Sequence, residues 1–206
     1  DKTLLIDRLA EEAIVEYLKQ EGIEFVLISE EAGRASFGSS PSVYVIADPL
    51  DGTHNARTGI PFFAVSLAAA EKPMLSSVVA AAVVDVVGGE EFYAAKGEGA
   101  YLDGERLVSP RKRELFEATI GVSVSRSPRA VESLRRVLSR ARNVRQLGAN
   151  ALEMCYVAAG RLDAFMDLRN RIRAIDVAAG CLIIREAGGV IALANPEVAL
   201  REIDPQ

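Results

Sequence analysis

The stretch "VYVIADPLDGTHN", residues 43–55, decides how this chain is read. Residues 43–47 are β-rich and too apolar to show a solvent face, which predicts a central strand. That strand runs into two acids three positions apart, Asp48 and Asp51, with Pro49 and Leu50 between them. Proline fixes one backbone angle, so a turn here can aim both carboxylates and the Leu50 carbonyl the same way. Oxygen donors alone suit magnesium, manganese or calcium. The chain has one histidine, His54, too few for an imidazole zinc cluster. Gly52 and Thr53 add amides and a hydroxyl of the kind that cradle phosphate oxygens. The same residues also make an ordinary acidic turn at a strand end. Spacing alone leaves both readings open.

Two other places supply acids at the ends of apolar elements. Glu30 and Glu31 close the predicted strand 23–29, and Asp176 begins an apolar helix over 175–189. An acid there also complements the positive end of a helix. If these elements lie side by side, the acids converge.

The remaining pattern is mixed. Leu9, Ala13, Ile14, Tyr17 and Leu18 recur at helical spacing and predict a helix over 7–20, stopped by Gly22. Residues 34–42 read as a loop, 60–70 as a strand, and 74–87 as helix or strand, with the valines favouring strand. Residues 89–107 have the rhythm of an antiparallel meander. Ser127 and Pro128 are a helix start for 127–140, with Val131, Leu134 and Leu138 as its buried stripe. A short strand and turn at 143–148, a buried helix at 149–160 and a strand at 162–168 come next. Met154 and Tyr156 read as core. The tail 190–206 is expected to hold one more strand and part of a helix.

The totals bound the function. The 206 residues are half hydrophobic, enough for a sizeable core and against disorder. A net charge of −5 argues against a general nucleic-acid or membrane-surface binder. Cys155 and Cys181 sit in apolar segments and read as reduced core residues. No run has the length of a membrane span and no signal peptide is visible, so a cytoplasmic location is expected. Residues 126–145 hold seven arginines and one acid, either a solvated face or a guide for anionic substrates.

At this point the residues carry a family likeness. "DPLDGTHN" (48–55) resembles the first signature of the inositol monophosphatase superfamily, the magnesium-dependent, lithium-sensitive phosphomonoesterases. "IDVAAG" (175–180) resembles the second, with Ile175 where the commoner form has tryptophan. "SEEAG" (29–33), "TLLIDRLAEE" (3–12) and "GANALEMCYVAAGRLDAFMD" (148–167) are similar to three further family segments, in the same order. The Ile-Asp form and short loops look most like the archaeal branch, many of whose members act on both inositol 1-phosphate and fructose 1,6-bisphosphate.

The resemblance implies an α+β fold, a layered αβαβα sandwich of the sugar-phosphatase type with mixed sheets, working as a homodimer. It divides the chain into an N-terminal lobe, 1–120, carrying the main metal motif, and a C-terminal lobe, 121–206, completing the site. It implies two or three magnesium ions, with manganese able to substitute, held by Glu30, Asp48, the Leu50 carbonyl, Asp51 and Asp176. Asp7 would pair with Thr53, which aims the attacking water, or help hold a third metal; Asp7, Thr53 and Glu30 are the implied catalytic residues, and the Gly52 and Thr53 amides would hold phosphate. Asp167 matches an acid that relatives set against sugar or inositol hydroxyls. Arg57, Arg169, Arg171 and Arg173 are candidates for a second phosphate through forked contacts. The likeness further implies a helix, and a hairpin or loop, ahead of Asp1, and a loop and strand where residues 188–197 ("GGVIALANPE") make a short connection. The expected substrate is a phosphorylated sugar or inositol, with no nucleic-acid or membrane partner. A 3'(2'),5'-bisphosphate nucleotide and histidinol phosphate are the alternative substrates. A non-catalytic metal- or phosphosugar-binding homologue is the alternative of another class.

Overall fold

The computed structural model describes residues 2–109, 113–193 and 202–203. Its larger sheet is mixed. Strands β1 (Phe25–Ser29), β2 (Gly33–Phe37), β3 (Val43–Asp51), β4 (Ala64–Ala70), β5 (Val78–Asp85), β6 (Glu91–Ala95), β7 (Gly99–Leu102) and β8 (Glu105–Arg106) are ordered 2-1-3-4-5-6-7-8. In this sheet only β1 and β3 run parallel, in register from Phe25 opposite Val43 to Ser29 opposite Ala47. The two strands therefore bring Glu30 and Asp48 to the same edge of the sheet.

Both faces of this pair are apolar. Leu27 and Val45 face helix α1 (Lys2–Gln20), where Val15 and Leu18 cover them, while Ile28 and Ile46 face the opposite core. That second core holds α4 (Asn150–Ala158) and α5 (Ala174–Glu186). Beyond them lies a parallel sheet of β9 (Thr119–Ser123), β10 (Asn143–Arg145) and β11 (Ala164–Asp167), ordered 10-9-11. Its outer face packs against α3 (Pro128–Arg140) through Leu134 and Val137. Helix, sheet, helices, sheet, helix: the layered α+β sandwich expected from the sequence is the one found. Cys155 and Cys181 are free and buried, as expected.

Four expectations need correcting. Residues 33–37 are not loop. Despite their serine and glycine they form β2, whose Phe37 ring stacks on Phe25 at 4.9 Å. The DPLD motif is not a turn beyond a strand. Asp48 still pairs with Ser66 and Asp51 with Ala64, so β3 continues through a bulge around Pro49 and Leu50. A bulge tolerates the missing proline donor and re-aims the neighbouring side chains. The chain turns only at Gly52, whose φ of 92° favours glycine and whose added Cβ would lie 3.0 Å from the Ala149 methyl.

The buried stripes also differ. On α1, Leu9 and Tyr17 are exposed, while Asp7 and Glu11 turn inward. A helix that borders a polar site breaks the usual rule that its inner face is apolar. On α3, Val131 is exposed and Ala130 takes the buried position beside Leu134; Ser127 caps the helix by accepting the Ala130 N–H at 3.3 Å. Residues 189–193 form neither helix nor strand, and the rest of the expected tail elements, at 194–201 and 204–206, lies outside the described residues.

Helices α4 and α5 meet at Gly180, where an added Cβ would stand 2.8 Å from the Met154 Cβ and 2.9 Å from its sulfur. Gly180→Val should therefore cost about 2 kcal/mol or more, read as a lower urea midpoint. An unchanged midpoint would show that the two helices do not need this close approach.

Candidate active site

The ends of β1, β3 and α5 meet at a cleft of about 360 Å³. Glu30, Asp48, Leu50, Asp51, Gly52, Thr53, Arg169, Arg173 and Asp176 all line it. Nine of the candidate site residues are thus brought together, and His54 lines the cleft as well. Asp7, Arg57, Asp167 and Arg171 do not line it.

Each acid has its own way of holding its charge. Asp51 is buried and accepts the N–H groups of Asn150 (2.8 Å) and Leu152 (3.2 Å), the open amides at the start of α4. Burial nevertheless pushes its carboxyl up to about 7. Asp48 accepts the Leu50 N–H at 3.1 Å. Burial first, then the charges of Asp51 and Asp176, push it up to about 8. Asp176 and Glu30 share a guanidinium. Arg173 donates to Asp176 Oδ1 at 2.7 Å and to Glu30 Oε2 at 2.7 Å, and its own N–H bonds Asp176 Oδ2 at 2.9 Å.

Asp7 is buried just outside the cleft. Burial, then the charges of Glu31 and Glu30, raise its carboxyl, and its Oδ1 has no hydrogen-bond partner among the described residues. The expected pairing with Thr53 is not formed: the Thr53 hydroxyl donates instead to the Leu50 carbonyl at 2.9 Å, three residues back and nearer to hand. Asp167 is also placed differently from expectation. Its carboxylate is forked by Arg169, at 2.6 and 3.1 Å, and accepts the Arg169 N–H at 2.8 Å. It stands behind Arg169 rather than facing the cleft. Arg57 and Arg171 are exposed. None of the arginines in 126–145 lines the cleft.

Several contributors escaped the sequence reading. Ser123, Ser125 and Gln146 line the wall opposite the acids, and Gln146 donates to Ser125 at 2.5 Å. Buried Asn55 ties the motif to that wall, donating to the carbonyls of Phe62 (2.7 Å) and Leu147 (2.6 Å). Glu11 accepts the Ser29 hydroxyl and the Ala32 N–H, fixing the turn that carries Glu30. Asn55 and Glu11 left a trace in the sequence, as letters of "DPLDGTHN" and "TLLIDRLAEE". The others are common polar residues whose roles depend on long-range packing.

The donor set suits a hard divalent cation in kind, since it is four carboxylates and a carbonyl, all oxygen, around one cleft. Among the described residues no three His, Cys, Asp or Glu side chains are gathered tightly enough to ligate an ion as placed. Two of the four acids are turned onto Arg173 and a third onto the α4 amides.

A layered α+β sandwich with acids from β1, β3 and α5 lining one cleft is the architecture of a class of sugar and inositol phosphatases. The chain belongs to the inositol monophosphatase family, whose sequence profile matches residues 2–205. It is 40% identical, over 92% of its length and 70% of the relative's, to a fructose-1,6-bisphosphatase/inositol-1-monophosphatase of Methanothermobacter thermautotrophicus. It is 36% identical to the Nus factor SuhB of Pseudomonas aeruginosa, over 90% of this chain and 70% of that one. Among solved structures, the Thermotoga maritima IMPase superposes with a TM-score of 0.78 at 34% identity, covering 90% of this chain and 69% of that chain.

Behind the cleft wall lies an acid the fold treats as core. Glu153 on α4 is fully buried, accepts the Gly148 N–H at 3.1 Å through Oε2, and leaves Oε1 without a partner among the described residues. Burial pushes its carboxyl up to about 7. A folded-state value above the unfolded one means the native protein holds the proton more tightly. Its contribution is therefore present at low pH and is lost as pH rises from the ordinary glutamate range to about 7, by up to about 3 kcal/mol. Glu153→Gln removes this dependence. Urea melts should show the variant gaining stability relative to wild type between about pH 5 and pH 8. A constant difference would mean that Glu153 is not held neutral.

Proposed function

We propose that the chain is a magnesium-dependent phosphoric monoester hydrolase that releases inorganic phosphate from fructose 1,6-bisphosphate, inositol 1-phosphate or both. The observation that carries this reading is the meeting of Glu30, Asp48, Asp51 and Asp176 with Arg169 and Arg173 around one cleft. The names of the archaeal relatives support the substrate class.

Glu30, Asp48, the Leu50 carbonyl, Asp51 and Asp176 would hold two or three magnesium ions, with manganese able to substitute. Bound there, such ions supply a nucleophilic water near neutral pH and offset charge on the phosphate and leaving oxygen. The chain's own residues do the rest. Gly52 and Thr53 open helix α2 (Thr53–Thr58), whose first amides have no intrahelical acceptor and can take phosphate oxygens. The Thr53 hydroxyl, which donates to the Leu50 carbonyl, keeps lone pairs free to accept a hydrogen bond from water and so orient it. It acts by hydrogen bonding, so attack by water gives phosphate directly without a phosphoenzyme. Asp7 is a buried acid near Glu30 and Glu31 and is not a direct partner of Thr53. Asp167 acts through Arg169: the forked pair fixes a guanidinium at the cleft wall, where it can bind a distal phosphate or a sugar oxygen.

The cleft draws its acids mainly from residues 1–120 and its arginines from residues 121–206, which supports two cooperating lobes. A cytoplasmic homodimer rests on the family likeness. No helix among the described residues is long and apolar enough to cross a membrane.

Phosphate release should be measured with fructose 1,6-bisphosphate, inositol 1-phosphate and a 3'-phosphoadenosine nucleotide, with and without magnesium. Turnover of one or both of the first two, only with magnesium, is expected. Asp51→Asn should lower kcat by about 100-fold or more in protein that still folds; Asn can accept only one of the two α4 N–H groups, so a lower melting temperature is expected as well. A strong preference for the nucleotide would overturn the substrate class, and near-normal Asp51→Asn activity the assignment of the acids.

A further inference from the structure

Arg173 holds two acids that the proposed chemistry needs for something else. It caps α5 from one residue before the helix, and its backbone N–H bonds Asp176 Oδ2 at 2.9 Å. Its side chain then folds back. Nε lies 3.1 Å and Nη2 2.7 Å from Asp176 Oδ1, and the same Nη2 lies 2.7 Å from Glu30 Oε2. Both oxygens of Asp176 are thus engaged, and one of Glu30. The Glu30 and Asp176 carboxylates in turn hold the guanidinium firmly protonated. Its side chain is 28% exposed, so solvent screens these contacts only in part.

Among the described residues no other cation near the cleft is placed to do this. Arg169 is taken by Asp167, and Arg171 is exposed and does not line the cleft. Asp48 and Asp51 are held by amides alone among the bonds described. A lysine would serve poorly, because a point charge cannot fork between two carboxylates as a planar guanidinium does. The oxygens that Arg173 occupies are those assigned above to the divalent ion. With both Asp176 oxygens and one Glu30 oxygen engaged, and two cations repelling each other at short range, the guanidinium and the ion compete for these carboxylates.

We propose that Arg173 is a built-in counter-cation that competes with the divalent ion for Glu30 and Asp176, and thereby sets the affinity of the site for that ion. The role rests on the reading of the cleft as a cation site but goes beyond it. The arginine keeps the acids together when the ion leaves, and weakens the ion's hold when it returns. Arg173 is a positioning residue in this role.

The test uses the full chain without substrate. Manganese binding is titrated by the loss of the free Mn2+ paramagnetic resonance signal in wild type, Arg173→Gln and Arg171→Gln. Competition predicts a dissociation constant about tenfold lower in Arg173→Gln, the size expected for one charge-assisted pair. Arg171→Gln removes the same charge from the same loop without touching either acid, and should stay within about twofold of wild type. In chelator, Arg173→Gln should melt below wild type, and manganese should raise its melting temperature by more. If Arg173→Gln does not fold, Arg173→Lys gives the same comparison with a smaller gain.

An unchanged or weaker dissociation constant in the folded variant would overturn the inference, as would an equal tightening in Arg171→Gln. If all the proteins bind manganese equally, this inference fails alone. If none binds it, the cation reading of the cleft fails and the inference with it.

Discussion

Four carboxylates of like sign cannot share a partly desolvated cleft without compensation, and this repulsion organises the site. Charges about 4 Å apart interact with several kcal/mol at the effective dielectric of a protein surface. The chain answers with three devices. The first turn of α4 offers two amides to Asp51, Arg173 forks between Glu30 and Asp176, and the raised Asp48 carboxyl leans towards its neutral form. These devices offset the repulsion only in part, since Asp48 and Asp51 keep raised carboxyl values despite them.

The fold exists, in this sense, to bring together chain segments that repel. The parallel pairing of β1 and β3 ends at Ser29 opposite Ala47, so Glu30 and Asp48 follow the pair at the same end of the sheet. The bulge at Pro49 and Leu50 turns Asp51 towards the cleft without ending the strand. Apolar burial on both faces of that strand pair supplies the restoring force, because Leu27 and Val45 on one side, and Ile28 and Ile46 on the other, are removed from water only in this register. Helix α5 is apolar on nearly all sides, so its position in the central layer is set by packing, and Asp176 is carried to the cleft as the one acid in its first turn.

Much of this is legible in the sequence. The strand at 43–47, the meander, the capped helix at 127 and the acids at 30, 48, 51 and 176 all come from local patterns, and short-range chemistry dictates them. The illegible parts depend on distant partners. Residues 33–37 look like loop until β1 lies beside them. The inward acids Asp7 and Glu11 contradict the helical stripe because the surface they face is polar. The family likeness gives Asp167 and Thr53 partners that the structure replaces with nearer ones, Arg169 and the Leu50 carbonyl. The grip of Arg173 on two of the acids cannot be read from spacing at all, since Glu30 lies 143 residues away.

The central claim is that these separate acids form one cation site. Anomalous diffraction from crystals soaked in manganese tests it most directly. The account predicts peaks within bonding distance of Asp48, Asp51 and Asp176, with the Arg173 guanidinium moved off Asp176. Peaks confined to the surface, or a cleft that stays free of manganese while Arg173 keeps both acids, would contradict it.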